Sequence, residues 1–287
     1  MLLDNKVQVL FKSPAAEPGF RTPPPRLRII TNASLHLLRE LIKRDVNARF
    51  TGSALGLAWA VLQPLSLLIL YWFVFTFMIP GGRLGLPGAF GGNQPYIHFL
   101  IAGLLPWLGF NEGLMRSTTA ILENAAIVKR LPLRRELLVV VPNVSAMLFE
   151  CVGLALAIAF ILAGGGTARM IWVLPFALLA QFTLQLGIGF MLAATYVFFR
   201  DLTQIIGFVL SVVFYLSPIL YPVSAQFEKF FFWNPLTALM GLFRSALLSA
   251  PLPEPASIVF LLVVAATALA FGMFVFRKVQ PTLVDLI

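Results

Sequence analysis

Long stretches without a charged side chain constrain this chain more than any other feature. Asp, Glu, Lys and Arg are absent from 51–82, 84–111, 170–199, 202–227 and 255–276, and Glu150 alone interrupts 137–168. Only 11% of the chain is charged, whereas a soluble protein carries about 25%. A helix needs about 20 apolar residues to cross roughly 30 Å of hydrocarbon. The sequence therefore predicts a multi-span membrane protein and excludes a soluble enzyme, a nucleic-acid-binding domain and a disulfide scaffold.

The runs predict an all-α integral membrane protein. We expect six transmembrane helices, near 55–79, 96–116, 137–163, 171–198, 203–221 and 255–276. A β-barrel would show short alternating segments, and the continuous apolar run Leu65–Ile79 does not alternate. The segment 217–250 is broken by prolines and charges, which predicts short re-entrant or interfacial helices between spans five and six rather than a seventh span.

Basic residues predict the orientation of the chain. With six spans, seventeen of the 21 Lys and Arg residues fall on the side of the N-terminus. Basic residues concentrate on the cytoplasmic side of membrane proteins. Both termini are therefore predicted to be cytoplasmic, in a multi-pass protein of the inner (plasma) membrane.

The N-terminal region divides into two parts ahead of the membrane domain at 51–287. Five prolines in residues 1–33 predict a disordered cytosolic arm. In 34–50, apolar residues recur at three- and four-residue steps, while charged side chains, including Arg39, Lys43, Arg44 and Asp45, occupy the remaining surface. Such a helix lies in the headgroup region. It serves either as a membrane anchor alone or also as a docking surface for a cytosolic partner.

Sequence motifs of catalysis and nucleotide binding are absent. There is no HExxH, no GxSxG and no cluster of metal ligands, and Gly164–Gly166 lacks the following Lys of a P-loop. We expect no metal, cofactor or catalytic residue on this chain. Glu112 and Arg116 have the spacing of an ion pair. Glu150, predicted near the bilayer midplane, is protonated, paired across a helix interface or facing a water-filled path.

Several motifs resemble permeases of the ABC-2 polysaccharide exporter family. The stretch RDVNARFTGSALGLAWAVLQP at 44–64 resembles the start of their first span. Arg200-Asp-Leu202, Ser217-Pro-Ile-Leu-Tyr-Pro222, Asn234-Pro-Leu236 and Arg244 follow in the family's order. The resemblance implies a homodimeric permease for a lipid-linked polysaccharide such as O-antigen. It also implies two copies of a separate P-loop ATPase, which holds the ATP and Mg, and no nucleic-acid partner.

The resemblance also implies roles for two groups of residues. Coupling to the ATPase would fall on the loop after span two, at Glu123, Asn124, Ile127, Lys129 and Arg130. Relatives commonly place a proline before the Arg-Glu pair that opens span three, where this chain has Arg134. The outer gate and substrate path would include Tyr215, Tyr221, Phe230, Phe231, Trp233 and Glu150. Sugars stack on aromatic rings, but such rings also form interfacial belts.

Two other functions remain open at this point. An ABC-2 permease for a drug or a lipid would share the same fold. A membrane-embedded enzyme of lipid-linked sugar metabolism would need converging acids or metal ligands, and the loops here are short and poor in acidic residues.

Overall fold

The structure is a computed structural model that describes residues 32–50, 52–53, 55–78, 96–126, 134–223 and 225–281. The α-helices in these ranges are α1 (Asn32–Phe50), α2 (Trp59–Phe73), α3 (Tyr96–Glu123), α4 (Glu136–Ala163), α5 (Leu174–Tyr196), α6 (Leu202–Leu216), α7 (Glu228–Phe232), α8 (Pro235–Leu248) and α9 (Pro255–Val279). The described residues form no strand, which confirms the all-α class. Of the predicted arm, residues 1–31 lie outside the described residues.

The chain packs as two units, Met1–Leu37 and Leu38–Ile287. The described part of the first unit is the beginning of α1, which starts at Asn32, two residues before the predicted helix. All contacts discussed below lie within the second unit.

Among the described residues, three helical segments are long and apolar enough to cross a membrane: Glu136–Ala163, Ile171–Tyr196 and Pro255–Val279. They match the predicted third, fourth and sixth spans closely. Shorter apolar helices occupy Val61–Phe73, Leu202–Leu216 and Pro235–Leu248. The 28-residue α3 is about 42 Å long and supplies much of the buried core.

The fifth predicted span is shorter than expected. The sequence predicts a helix over 203–221, but α6 ends at Leu216 and Ser217 is extended, with φ −101° and ψ 147°. A proline disfavours helical backbone at the residue before it, and Pro218 follows Ser217. The 15 residues of α6 span about 22 Å, which is less than the hydrocarbon thickness.

Two short helices follow the extended segment. The five-residue α7 precedes α8, and Asn234 caps α8 by accepting a hydrogen bond from the Leu236 N–H at 3.0 Å. Most of α8 is buried, against α3, α5 and α9. Prolines mark two of these breaks, as the sequence predicts, because Pro218 follows the end of the preceding helix and Pro235 is the first residue of α8. The charged side chain of Arg244, in contrast, lies within α8 and does not interrupt it. The re-entrant or interfacial placement of these helices stays a prediction.

The closest helix packing joins α5 to α9. A Cβ atom on Gly272 would overlap the Gly187 carbonyl, and one on Gly187 would overlap the backbone of Ala268 and Leu269. Small residues let membrane helices approach this closely. The two glycines therefore fix the contact between α5 and α9.

Candidate functional site

Four charged side chains form a network between α1 and α3. Arg49 contacts Glu112 at 2.5 Å, and Arg116 contacts Asp45 at 2.5 Å. The predicted pair of Glu112 and Arg116 is also present, at 3.8 Å along α3. The network contains two positive and two negative side chains and joins the charged face of α1 to α3.

The closest partners in this network differ from the sequence prediction. Spacing along α3 indicated a Glu112–Arg116 pair, but each of the two is closer to a residue of α1. One signal was available: Asp45 and Arg49 have the same four-residue spacing and the same order of charges as Glu112 and Arg116. Two such helices that pack side by side in opposite directions can pair acid with base at both levels.

A cavity of about 310 Å³ lies where α1 meets the end of α3 and the start of α4. Arg44, Asp45, Glu123 and Asn124 all line this cavity. The structure therefore brings together two members of the predicted interface-helix set and two of the predicted coupling set. Arg39 and Lys43 are exposed and do not line it. Of the other coupling residues, Ile127, Lys129 and Arg130 lie outside the described residues.

The predicted coupling segment begins at Glu123, the last residue of α3. Asn124 forms a turn after it, and Ala125 and Ala126 are again helical. The Asn124 side chain then donates to the Ala120 carbonyl at 2.9 Å. The first two residues of the predicted coupling set therefore lie at the end of the helix that carries Glu112 and Arg116.

Glu150 lies between α3, α4 and α5. Its side chain is 5% exposed, and Oε2 accepts a hydrogen bond from Gln181 Nε2 at 2.5 Å. Among the described residues, Oε1 has no hydrogen-bond partner. The carboxyl occupies the space that Gly109 leaves, because a Cβ atom there would overlap it. Of the three possibilities raised by the sequence, pairing across a helix interface is present, with Gln181.

Glu150 and the α1–α3 network line one cavity. This cavity, of about 410 Å³, is bounded by Arg49, Glu112, Arg116 and Glu150, with Gly109 in its wall. Within the described part of the chain, no three His, Cys, Asp or Glu side chains converge as metal ligands. The cavity offers guanidinium and carboxyl groups side by side.

A second buried polar group was missed by sequence reasoning. Asn143 donates to Ser117 Oγ at 2.6 Å and to the Val139 carbonyl at 2.7 Å. Gln185 is buried beside it, in space left by Gly113. Single amides in apolar runs carry no pattern that reveals such partners. The polar residues of three helices are instead brought together by packing.

Arg244 anchors the extended segment that follows α6. Its guanidinium is 6% exposed and donates to the carbonyls of Pro218 and Ile219, the latter at 3.2 Å. It also stacks over the Phe99 ring, 3.8 Å from the centroid. The Tyr96 hydroxyl donates to the Leu220 carbonyl at 2.8 Å. The sequence marked Arg244 as a motif residue but did not indicate this contact.

The predicted gate aromatics form two groups. Tyr221 donates to the Tyr215 carbonyl at 2.5 Å and packs edge-on to Phe231, which in turn packs against Phe230. Trp233 belongs to the other group, with Phe232 and Phe260 of α9. Phe231 is buried, whereas Tyr215, Phe230 and Trp233 are more than 60% exposed. The structure therefore brings the rings of Tyr221, Phe230 and Phe231 together, connects Tyr215 to them through its backbone carbonyl, and places Trp233 in another group.

This chain is similar to known proteins over most of its length. Residues 36–248 match the ABC-2 type transporter family. The O-antigen export system permease protein RfbA of Klebsiella pneumoniae is 28% identical over 254 residues, 85% of this chain and 92% of the relative. RfbA of Myxococcus xanthus is 28% identical over 84% of this chain and 92% of its own length. The polysialic acid transport protein KpsM of Escherichia coli is 23% identical over 83% and 91%.

Proposed function

Because this chain belongs to the ABC-2 type transporter family, we propose that it is the permease subunit of an ATP-driven exporter of a lipid-linked polysaccharide such as O-antigen. The observation that carries this proposal is the similarity to O-antigen and polysialic acid transport proteins over 83–85% of the chain. The proposed location is the cytoplasmic membrane, with six spans and both termini in the cytoplasm.

The transport path would lie between two copies of the chain. A hydrophilic polymer needs a wide path, and the helices of one chain enclose only a narrow one. The α6 helix supports a dimer because one of its faces packs against no other described residue. This face carries exposed apolar side chains at Ile205, Phe208, Val209, Val212 and Leu216. Two such faces would bound a path between the subunits, with the remaining apolar surface in lipid.

Energy would come from two copies of a P-loop ATPase that hold ATP and Mg, with no cofactor on this chain. The proposed docking surface comprises α1 and the segment that begins at Glu123. The cavity lined by Arg44, Asp45, Glu123 and Asn124 supports this assignment, because it joins the two predicted elements. The network of Arg49 with Glu112 and Arg116 with Asp45 would transmit movement of α1 to α3.

The outer end of the path would be closed by aromatic rings. An apolar constriction excludes water and ions while the transporter is at rest. The rings of Tyr221, Phe230 and Phe231 support such a seal because they pack against one another next to the extended segment after α6, and the Tyr221 hydroxyl ties them to the Tyr215 carbonyl. Exposed rings such as Phe230 would also give a sliding polymer weak stacking contacts.

Deletion of the gene in its host tests the proposed function. We expect the surface polysaccharide to disappear and the same polymer to accumulate inside the cell on its lipid carrier. The polymer would be measured by gel electrophoresis of surface and cytoplasmic membrane fractions. Expression of the intact chain should restore export, and catalytic inactivation of the partner ATPase should reproduce the deletion. Normal surface polymer in the deletion strain, with altered drug or lipid efflux, would contradict the proposal.

A further inference from the structure

Two cavities between α2, α3 and α4 share one wall. The polar cavity of about 410 Å³ and an apolar groove of about 480 Å³ are both lined by Pro64, Leu105, Phe149 and Gly153. We propose that together they bind one phospholipid whose headgroup carries both a phosphate and a primary ammonium group, as in phosphatidylethanolamine. This inference does not depend on which molecule the chain exports.

The polar cavity offers charges of both signs. Arg49 and Arg116 line it together with Glu112 and Glu150. Asp45 and Glu112 already contact the two arginines, so the α1–α3 network is balanced. Glu150 is a further acid, and among the described residues its Oε1 atom has no hydrogen-bond partner. A ligand that matches this cavity must therefore bring a hydrogen-bond donor to Glu150.

A headgroup with a phosphate and an ammonium group can bind both the basic and the acidic side chains of the polar cavity. Guanidinium groups bind phosphate oxygens through their N–H donors. The two guanidinium groups in the lining of this cavity are those of Arg49 and Arg116, which would share their donors between the phosphate and the carboxylates of Glu112 and Asp45. A primary ammonium donates three hydrogen bonds, one of which can reach the carboxyl of Glu150. A choline headgroup has no N–H to donate. A purely anionic headgroup, including the diphosphate of a lipid-linked saccharide, would add negative charge beside Glu112 and Glu150 and would bring no ammonium group to the Glu150 carboxyl.

The groove has the chemistry and length of an acyl-chain site. Its lining is almost wholly apolar, from α2 (Val61, Leu65, Ile69, Trp72), α3 (Ile97, Ile101) and α4 (Val152, Leu156, Phe160). Along α2, Val61 to Trp72 covers about 16 Å, roughly half of the hydrocarbon core. Leu65 and Leu156 are about half exposed there, so the groove is open along its length. A chain whose headgroup lies in the polar cavity would follow this groove.

Native mass spectrometry of the purified full-length protein tests the proposal. The protein in detergent would be titrated with phosphatidylethanolamine, phosphatidylcholine and phosphatidylglycerol of identical acyl chains. We expect one phosphatidylethanolamine to bind about tenfold more tightly than either other lipid, because it alone makes the charge-assisted bond to Glu150. Equal binding of phosphatidylethanolamine and phosphatidylcholine would overturn the proposal.

Two variants test the headgroup site and the acyl-chain groove separately. Glu150→Gln keeps the side-chain shape and should remove the preference for phosphatidylethanolamine while all three lipids still bind. Gly153→Leu fills the wall shared by the cavities and should weaken all three by about tenfold or more. Ala266→Leu adds three carbon atoms at an exposed position of α9, outside both cavities, and should change nothing. A preference unaffected by both cavity variants, or tighter binding of a polyprenyl diphosphate than of phosphatidylethanolamine, would contradict the site.

Discussion

Arg49 and Glu112 form a two-point ion pair, with Nη1 to Oε1 at 2.5 Å and Nη2 to Oε2 at 2.8 Å. The pair joins α1 to α3 across 63 positions of sequence. Both side chains are only partly exposed, 21% and 26%, so solvent screens the pair less than it screens a surface pair. In the proposed transporter, this contact ties the interface helix to the helix that leads into the coupling segment.

Charge exchange tests whether this pair holds α1 against α3. We expect Arg49→Glu and Glu112→Arg each to lower the free energy of unfolding, and the double exchange to recover part of the loss. The coupling free energy should be about 1 kcal/mol, as for other partly exposed pairs. Reversible unfolding in mixed detergent micelles measures it. Arg39→Glu, at an exposed position of the same helix, is the matched control, and additive effects of the two exchanges would disprove the coupling.

Arg244 is predicted to be the main support of the extended segment after α6. Arg244→Met should lower the free energy of unfolding by about 2 kcal/mol, because the Pro218 and Ile219 carbonyls lose their buried donor. Arg244→Lys should recover only part of this, since an ammonium lacks the guanidinium's planar donor arrangement. Limited proteolysis near 217–224 should accelerate in both variants. Arg169→Met, at an exposed site, should be silent.

The positions of the long apolar helices could be predicted from sequence, but the end of α6 could not. The run 137–163 is long and apolar, and α4 occupies Glu136–Ala163. For α6 the apolar run continues to Phe227, so hydropathy placed the end at 221. The local backbone restriction imposed by Pro218 ends the helix earlier. Length and hydropathy therefore located the helix, and a single proline determined its end.

The candidate site was less predictable because its contacts join residues far apart in sequence. Spacing along one helix indicated the Glu112–Arg116 pair, but it carried no information on which residues of α1 pack beside them. The same holds for Arg244, whose partners are backbone carbonyls of a distant segment. The grouping of Tyr221, Phe230 and Phe231 near Tyr215 was predicted in part, because aromatic residues concentrate in that stretch of sequence.

The contact between α3 and α5 should be sensitive to a single methyl group. Gly113→Ala should destabilise the protein by about 1–3 kcal/mol, because the new Cβ atom would lie 2.6 Å from Gln185 Cδ. Adding Gln185→Ala should restore much of the loss. Unfolding in mixed micelles again provides the measurement. Gly207→Ala on α6 has nothing closer than 4.0 Å and serves as the control; equal effects at both glycines would contradict the packing.

We expect the rings of Tyr221, Phe230 and Phe231 to be needed for the seal, and Trp233 not to be needed for it. Replacing Tyr221, Phe230 and Phe231 together by Ala should reduce polymer export and increase ion leak through proteoliposomes, because the apolar seal is lost. Trp233→Ala should not cause leak, since Trp233 packs on Phe260 instead. A fluorescent ion-flux assay distinguishes the two. If the triple variant stays ion-tight and exports normally, these rings form an interfacial belt only.

The most direct test is ATP-driven transport by the purified chain, co-reconstituted with its partner ATPase in liposomes that contain the lipid-linked polymer. The measurement is the fraction of polymer that becomes accessible to a glycosidase on the far side of the membrane. We predict that this fraction rises only with both proteins and ATP. Lys129→Glu with Arg130→Glu should abolish the rise while ATP hydrolysis continues. Polymer transfer by the chain without the ATPase, or no transfer by an intact complex that hydrolyses ATP, would contradict the assignment.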